Sequence, residues 1–597
     1  MADKNDRWRK YAKIKFDGKK ISDHARRAEA ATVGHAREFV VHRWSNIREA
    51  RRLIIGWLVL VLLLIAAVGL QMLLFKGQYR TQAAAAGGTY AEATLGTIET
   101  LNPLYASSSA ELSAARLMFS SLYQYDTQGG LKSDLAESMS IENKGRTYFI
   151  KLRDGLKWHD GQPITASDVV FTINTIKDPA SRSYLSPSWQ GIEVEATNDQ
   201  TVKFTLPATI AAFQHALVFP VLPKHILADV PPGTLRENSF SSSPVGSGPF
   251  KFRRLQTANV SNNTKIVHMT RFDEYHMGVA KLDRFQLHAY SDREMISTAL
   301  KTGEVNGAAH LHSNDAAVID TNRYEVSNVP VYGGVYSIFN TERPIISDST
   351  VRKALRLALD TGEVRSNVSV PDRPLDLPFL PEQVQADLPK PPSHDAKKAA
   401  SMLDSAGWKL DGEVRKKDGK PLSIEVVTIK DSEYEKVVES LAGQWRSLGV
   451  EVKTTIVDAS AAGQDVAQTV LRPRAYDVLV YELSIGADPD VYAYWHSSQA
   501  TQSGRNLANY TSGVSDDALV SARSRLETDL RGAKYASFAE EWLDDVPAIG
   551  IYQSNFVYVN SKKAETLRGG SMITSPSSRY ADVVNWTVER ETVYKTP

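Results

Sequence analysis

Cysteine is absent from all 597 residues, which excludes a disulfide, a thiolate metal site, a cysteine nucleophile and an acylated-cysteine membrane anchor. Nor does the sequence contain a Walker phosphate loop or an HExxH pair. Gly246-Ser247-Gly248 is followed by Pro249 instead of a helix, so it is a turn and neither a dinucleotide fingerprint nor a nucleophile elbow. No internal repeat is evident, and no low-complexity tract exceeds the alanine run at 83–86. An excess of one charge sign is missing overall, with 70 Lys+Arg against 69 Asp+Glu. That balance hides a split. Residues 1–52 hold 15 of the basic and 7 of the acidic residues, which leaves 55 basic and 62 acidic residues beyond them. A basic head on a mildly acidic body argues against a nucleic-acid partner for the body.

What is present begins with an uncharged run at residues 53–75, LIIGWLVLVLLLIAAVGLQMLLF. At about 1.5 Å per residue it is long enough to cross a hydrocarbon core of about 30 Å. Arg43, Arg48, Arg51 and Arg52 precede it, so the positive-inside rule places residues 1–52 in the cytoplasm and the body outside. A cleavable signal with its cleavage region at 83–88 is the competing reading. Its apolar core would be shorter and its basic leader shorter too. Residues 22–52 read as a helix, either a juxtamembrane stalk or a docking or signalling element, and residues 76–88 read as a tether.

Further on, residues 148–176, YFIKLRDGLKWHDGQPITASDVVFTINTI, set two turns and a capped helix in fixed register. A strand at 148–152 meets the Asp154-Gly155 turn, a returning strand is expected at 156–159, and Asp160-Gly161 and Pro163 end it. Thr165 and Asp168 form a capping pattern for a helix whose apolar face is Val169, Val170, Ile173 and Ile176. Residues 422–481 alternate as strand, helix, strand, helical stretch and strand, a βαβαβ unit that implies a largely parallel sheet. A helix is expected at 349–359, an irregular proline-rich connection at 371–392, and a helix capped by Ser393 or Asp395.

The block at 148–176 resembles the LRxGxxWxDGxPxTAxDV segment of the family 5 extracellular solute-binding proteins. Further segments agree in order: Thr100-Leu101-Asn102-Pro103, Asp134-Leu135-Ala136-Glu137-Ser138, Leu222-Pro223-Lys224-His225-Ile226-Leu227, Val245-Gly246-Ser247-Gly248-Pro249-Phe250, Phe339-Asn340-Thr341, Val351-Arg352-Lys353-Ala354-Leu355 and Ala406-Gly407-Trp408. The resemblance spans roughly residue 88 to the C-terminus. It implies an α/β, two-lobed periplasmic-binding-protein type II-like fold with an inserted subdomain, here preceded by one transmembrane helix. Lobe one would take residues 89–117, 245–335 and 555–597, the inserted subdomain 118–244 and lobe two 336–554, with chain crossings near Tyr336 and Ser554 as the hinge. It further implies a monomeric, membrane-anchored extracellular receptor that delivers a solute, with peptide the leading class, to an ABC permease with ATPase subunits. No cofactor and no enzymatic step are expected. Oligosaccharide and nickel or haem complexes are the alternatives within the fold, and a tethered hydrolase or a sensory receptor the alternatives outside it.

Open parallel sheets bind ligands beyond the carboxyl ends of their strands, which singles out the loop carrying Asp488 and Asp490. Two carboxylates beside Tyr492 and Trp495 suit a cationic ligand group. The plainer reading makes one aspartate a helix cap and the aromatics packing residues. In peptide-binding relatives an aspartate just upstream pairs with the peptide ammonium, whereas this chain has Ser484, Ile485 and Gly486 there. By resemblance, Tyr105, Ser107, Ser108 and Ser109 run along the ligand, or else form a turn and cap. Tyr336 and Asn340 at the hinge, and Asn506 and Tyr510 after the acidic loop, complete the candidate set. His310 and His312, alternate residues of an expected strand, are read as structural because a third metal ligand is missing. His159 is likewise read as structural.

Overall fold

The computed structural model describes residues 47–317, 319–368, 373–458, 465–567 and 570–594. The helix expected at 22–52 lies outside these up to residue 46. It is continuous from Ile47 to Tyr79, and within it Arg51–Leu74 is long and apolar enough to cross a membrane, with none of its residues buried. The expected tether is shorter than read, because the helix runs on to Tyr79 and Arg80–Ala85 is extended strand. The single Gly77 costs a helix only about 1 kcal/mol, too little to end it.

Residues 84–591 form a second compact unit. Its main sheet has ten strands in the order Glu451–Val457, Ser423–Ile429, Val478–Ser484, Tyr324–Phe339, Ala548–Ser561, Gly307–Leu311, Thr89–Leu95, Arg284–Tyr290, Thr264–Arg271 and Phe250–Asn259. The two longest strands, Tyr324–Phe339 and Ala548–Ser561, lie antiparallel in the middle. Their register slips between Pro330 and Gly334 and again between Val335 and Tyr336. On one side of the slip Val329, Val331, Phe556 and Tyr558 enter one core, and on the other Val335, Phe339, Ile549 and Ile551 enter a second. The sheet therefore has two halves, each with its own core, joined through two strands.

In the second half the expected βαβαβ unit is present, with Ser423–Ile429 parallel to both Glu451–Val457 and Val478–Ser484. Its helix, Ser432–Ser447, buries Val437, Val438, Leu441 and Trp445, the apolar face that the 3.6-residue period marks. Gly449, at φ +91°, follows it where a left-handed residue ends helices at least cost. The helix at Ser349 stops at Leu357, and Asp395 caps Ala396–Ser405 by accepting from the Lys398 N–H.

The 148–176 block belongs to a separate four-stranded antiparallel sheet, in which Thr147–Leu152 pairs with Ala136–Glu142 and Thr201–Thr205. The capping box is present: the Thr165 N–H donates to Asp168 Oδ2 at 2.8 Å, and Ala166–Lys177 follows as helix. The expected returning strand at 156–159 is not. Only a Lys157–Pro163 bridge remains, because Trp158 and His159 spend their N–H groups on Gln162 and Gly246 carbonyls, and Pro163 has no donor for a ladder. His159 is structural in the geometry as well: Gly246 donates to Nδ1, Nε2 donates to the Gly248 carbonyl, and burial pushes its pKa down to about 4. The glycine at 246 is set by close approach, since a Cβ there would lie 1.9 Å from the Met118 carbonyl oxygen.

Candidate functional site

The slip in the central strands opens a cavity of about 450 Å³ lined from both halves of the sheet. From the second half, Ser423–Ile429 ends just before Asp431, which caps the next helix through Oδ1, accepting from the Glu433 N–H at 2.9 Å. Its other oxygen faces the first half. The neighbouring strand brings Tyr481, Glu482 and Ser484 to the same wall, and Ala548–Ser561 adds Tyr552 and Asn555. From the first half come Arg293 at the start of a helix, His310 and His312 at the end of Gly307–Leu311, and the turn at 574–576.

Ion pairs cross this cavity. His312 Nε2 lies 3.2 Å from Asp431 Oδ2 and its Nδ1 3.3 Å from Glu433 Oε1, while Arg293 Nη2 is 3.6 Å from Asp431 Oδ2. Burial alone lowers the His312 pKa, but the bonds to Asp431 and Glu433 outweigh it and hold the imidazole at about 9. For Asp431 burial acts upward and His312 wins in the other direction, so the carboxyl titrates below its usual range. His310 is different. Its φ of +66° sits in the bulge between Ala309 and Leu311, so strand alternation does not carry through to His312. Nδ1 is 3.2 Å from Thr94 Oγ1, Nε2 is buried without a partner among the described residues, and burial with the nearby Arg579 and Arg293 charges drives its pKa down to about 3.

None of the ligand residues singled out from the sequence lines this cavity. Asp488 accepts two hydrogen bonds from Arg531, at 2.7 and 2.5 Å, and Asp490 accepts one from Arg523 at 2.9 Å. Both carboxylates already have their cations. His215 approaches Asp488 to 3.8 Å while its Nδ1 is 2.9 Å from the Tyr125 hydroxyl; burial pulls the His215 pKa down, so this contact is not a charged pair near neutral pH. With the Ala211 N–H donating to the Arg523 carbonyl, the acidic loop braces the half carrying it against the segment around 211–215.

Tyr492 stacks on His496 beneath the Arg523 guanidinium, and Trp495 is buried between Tyr336 and Trp542. The Tyr336 hydroxyl donates to the Leu377 carbonyl inside the same core. Asn340 donates to the Arg474 carbonyl, Asn506 to the Tyr510 carbonyl, and Tyr510 to Asp545. These four are buried braces of the second half. Ser108 caps Ser109–Met118 in a box with Glu111, the Ser107 N–H donates to the same carboxylate, and Tyr105 is buried under Arg236. Here the plainer turn-and-cap reading describes what the side chains do.

The residues that do face the cavity, Asp431, Glu433, Glu482 and Tyr552 among them, were legible only in part. Asp431 sits at the carboxyl end of a parallel strand, where the open-sheet rule points; the same rule applied at two strand ends selects two loops, one with Asp431 and Glu433 and one with Asp488 and Asp490.

A family profile described as bacterial extracellular solute-binding proteins, family 5 Middle, matches residues 130–505. The chain is 30% identical over 490 residues to the oligopeptide-binding protein AppA of Bacillus subtilis, covering 79% of this chain and 87% of that protein. Among solved structures, AppA of Bacillus subtilis in complex with a nonapeptide superposes with a TM-score of 0.71 at 26% identity, over 85% of this chain and 100% of that one. NikZ of Campylobacter jejuni in complex with Ni(L-His) gives 0.72 at 26%, over 84% and 99%.

Proposed function

Because the chain belongs to the bacterial extracellular solute-binding proteins of family 5, we propose that it captures a peptide in the cavity between the two halves of its sheet and delivers it to an ABC permease. The observation that carries this reading is the cavity itself, walled by residues 310–312 and 574–576 on one side and by 429–434 and 481–484 on the other. A ligand held there touches both halves, so it favours the closed arrangement over any in which they part. The strand slip at 330–336 is the hinge in this reading, and the two halves are the lobes. At about 450 Å³ the cavity falls within the usual range for small-ligand sites, roughly 300–1,000 Å³.

The apolar helix Arg51–Leu74 anchors the receptor, at about 36 Å for its length. Arg43, Arg48, Arg51 and Arg52 hold its start on the cytoplasmic side. The receptor works as a monomer and makes or breaks no covalent bond in its ligand.

Thermal denaturation of the full-length protein in detergent, against peptides of two to ten residues, tests the reading. A peptide at 100 times its dissociation constant is expected to add about 2.7 kcal/mol of stability. If peptides of every length left the transition unmoved while an oligosaccharide or a nickel complex raised it, the peptide assignment would be wrong.

A further inference from the structure

The charges that line the cavity do not cancel. Asp431 and Glu433 share His312 and Arg293, with N–O distances of 3.2 to 3.6 Å. Glu482 meets no cation among the described residues; its Oε2 accepts a single hydrogen bond, from the Tyr434 hydroxyl at 3.0 Å. With His312 protonated, three carboxylates face two cations, and the uncompensated charge is at Glu482.

A second observation points to the same place. Tyr552 lines the cavity at 2% exposure and its hydroxyl has no hydrogen-bond partner among the described residues. Burial, then the charges of Glu433, Glu482 and Asp431, raise its pKa, so it stays a neutral donor beside them. Buried polar groups are rarely left unpaired in native proteins, and each one calls for a missing partner. His310 Nε2 is a second such atom on the opposite wall. Tyr434, Tyr481 and Tyr552 line the same cavity as the carboxylate, and aromatic side chains beside a carboxylate suit a positively charged nitrogen.

We propose that Glu482 is the seat for a cationic nitrogen of the ligand, with the Tyr552 hydroxyl completing the site, and that this seat selects cationic over neutral peptides. This deepens the peptide reading above and rests on it. The nitrogen has two sources in a peptide, the α-ammonium or a Lys or Arg side chain. The acidic loop at 488–490 is not the seat, because Arg531 and Arg523 already occupy its carboxylates.

Calorimetric titration of full-length wild type and Glu482→Gln separates these cases. The probes are pentaalanine, N-acetyl-pentaalanine, and N-acetylated pentapeptides with lysine or norleucine at the central position. Wild type is expected to lose roughly ten- to hundredfold in affinity when the cation is removed, the scale of a hydrogen bond to a charged group. Glu482→Gln is expected to lose that discrimination, binding the cationic and the neutral peptides alike. A penalty on acetylation assigns the α-ammonium; a penalty on lysine to norleucine assigns a side chain. Equal binding of neutral and cationic peptides by wild type, or the same discrimination in Glu482→Gln, overturns the seat and leaves the peptide reading standing. Agmatine, a cation with no peptide bond, supplies the converse: binding to wild type that Glu482→Gln loses, with no peptide bound, keeps the seat and removes the peptide reading. If neither agmatine nor any peptide binds wild type, both fall.

Discussion

Replacing Arg579 with methionine is expected to cost about 3–5 kcal/mol of stability, because it leaves a carboxylate buried without its cation. Arg579 and Glu92 are both wholly inaccessible to solvent. Arg579 Nε and Nη2 donate to Glu92 Oε1 at 3.1 and 2.5 Å, Nη2 also meets Ser113 Oγ at 3.0 Å, and the Tyr558 hydroxyl donates to Glu92 Oε2 at 2.8 Å. The Tyr580 hydroxyl makes a further short contact with the carboxylate. Burial works against the guanidinium charge, but Glu92 prevails and raises the Arg579 pKa. The cluster ties Thr89–Leu95 and Ala548–Ser561 to the C-terminal segment. It reaches the cavity too, since Arg579 Nη1 donates to the Pro576 carbonyl at 2.6 Å and Pro576 lines the wall. Urea titration followed by tryptophan fluorescence measures the loss. A double variant, Glu92→Gln with Arg579→Met, is expected to recover much of it by removing the orphaned charge. A loss below about 1 kcal/mol in Arg579→Met would mean that Glu92 has another way to be satisfied.

Raising the pH from 6 to 10 is expected to remove up to about 3 kcal/mol of the stability that His312 confers on the folded protein. The pKa of His312 is held at about 9 against an ordinary value of about 6.5. Its contribution is therefore complete below about pH 6.5 and is lost as the pH climbs through about 9. The groups facing it are Asp431 and Glu433 from the second half and Arg293 from its own. The depressed Asp431 has the opposite sign, so its contribution fades only when the pH drops below the usual carboxylate range. The readout is the difference in urea stability between wild type and His312→Gln as a function of pH. That difference is expected to be largest at pH 6 and to fall below about 0.5 kcal/mol by pH 9. A difference that stays constant with pH would mean that His312 is not charged where it meets Asp431.

Much of the architecture could be read from local pattern. The βαβαβ unit announces itself through the period of Val437, Leu441 and Trp445 and the glycine at 449, and the box of Thr165 and Asp168 marks a helix start that the fold keeps. Signals of that kind survive because they depend on neighbours within a few residues. The cavity is different. Arg293, His312, Asp431, Glu482 and Tyr552 meet only because the strand Tyr324–Phe339 lies between Val478–Ser484 and Ala548–Ser561, an adjacency that no local period encodes. The pairing of the Asp488 loop is hidden for the mirror-image reason. Two carboxylates beside aromatic rings look unpaired in the sequence, while their arginines stand more than thirty residues on, Arg523 in the last turn of Gly513–Ser524 and Arg531 in the first turn of Thr528–Asp545. The same holds for Tyr336 and Asn340, whose side chains are buried in the second half.

Hydrogen exchange of the full-length protein, with and without a bound peptide identified by native mass spectrometry of the purified sample, tests most directly whether the ligand occupies this cavity. Protection is expected at 310–312, 429–434, 481–484 and 574–576, the segments that wall it from both halves. Protection confined to 105–109 and 488–495, with those four segments unchanged, would contradict the assignment.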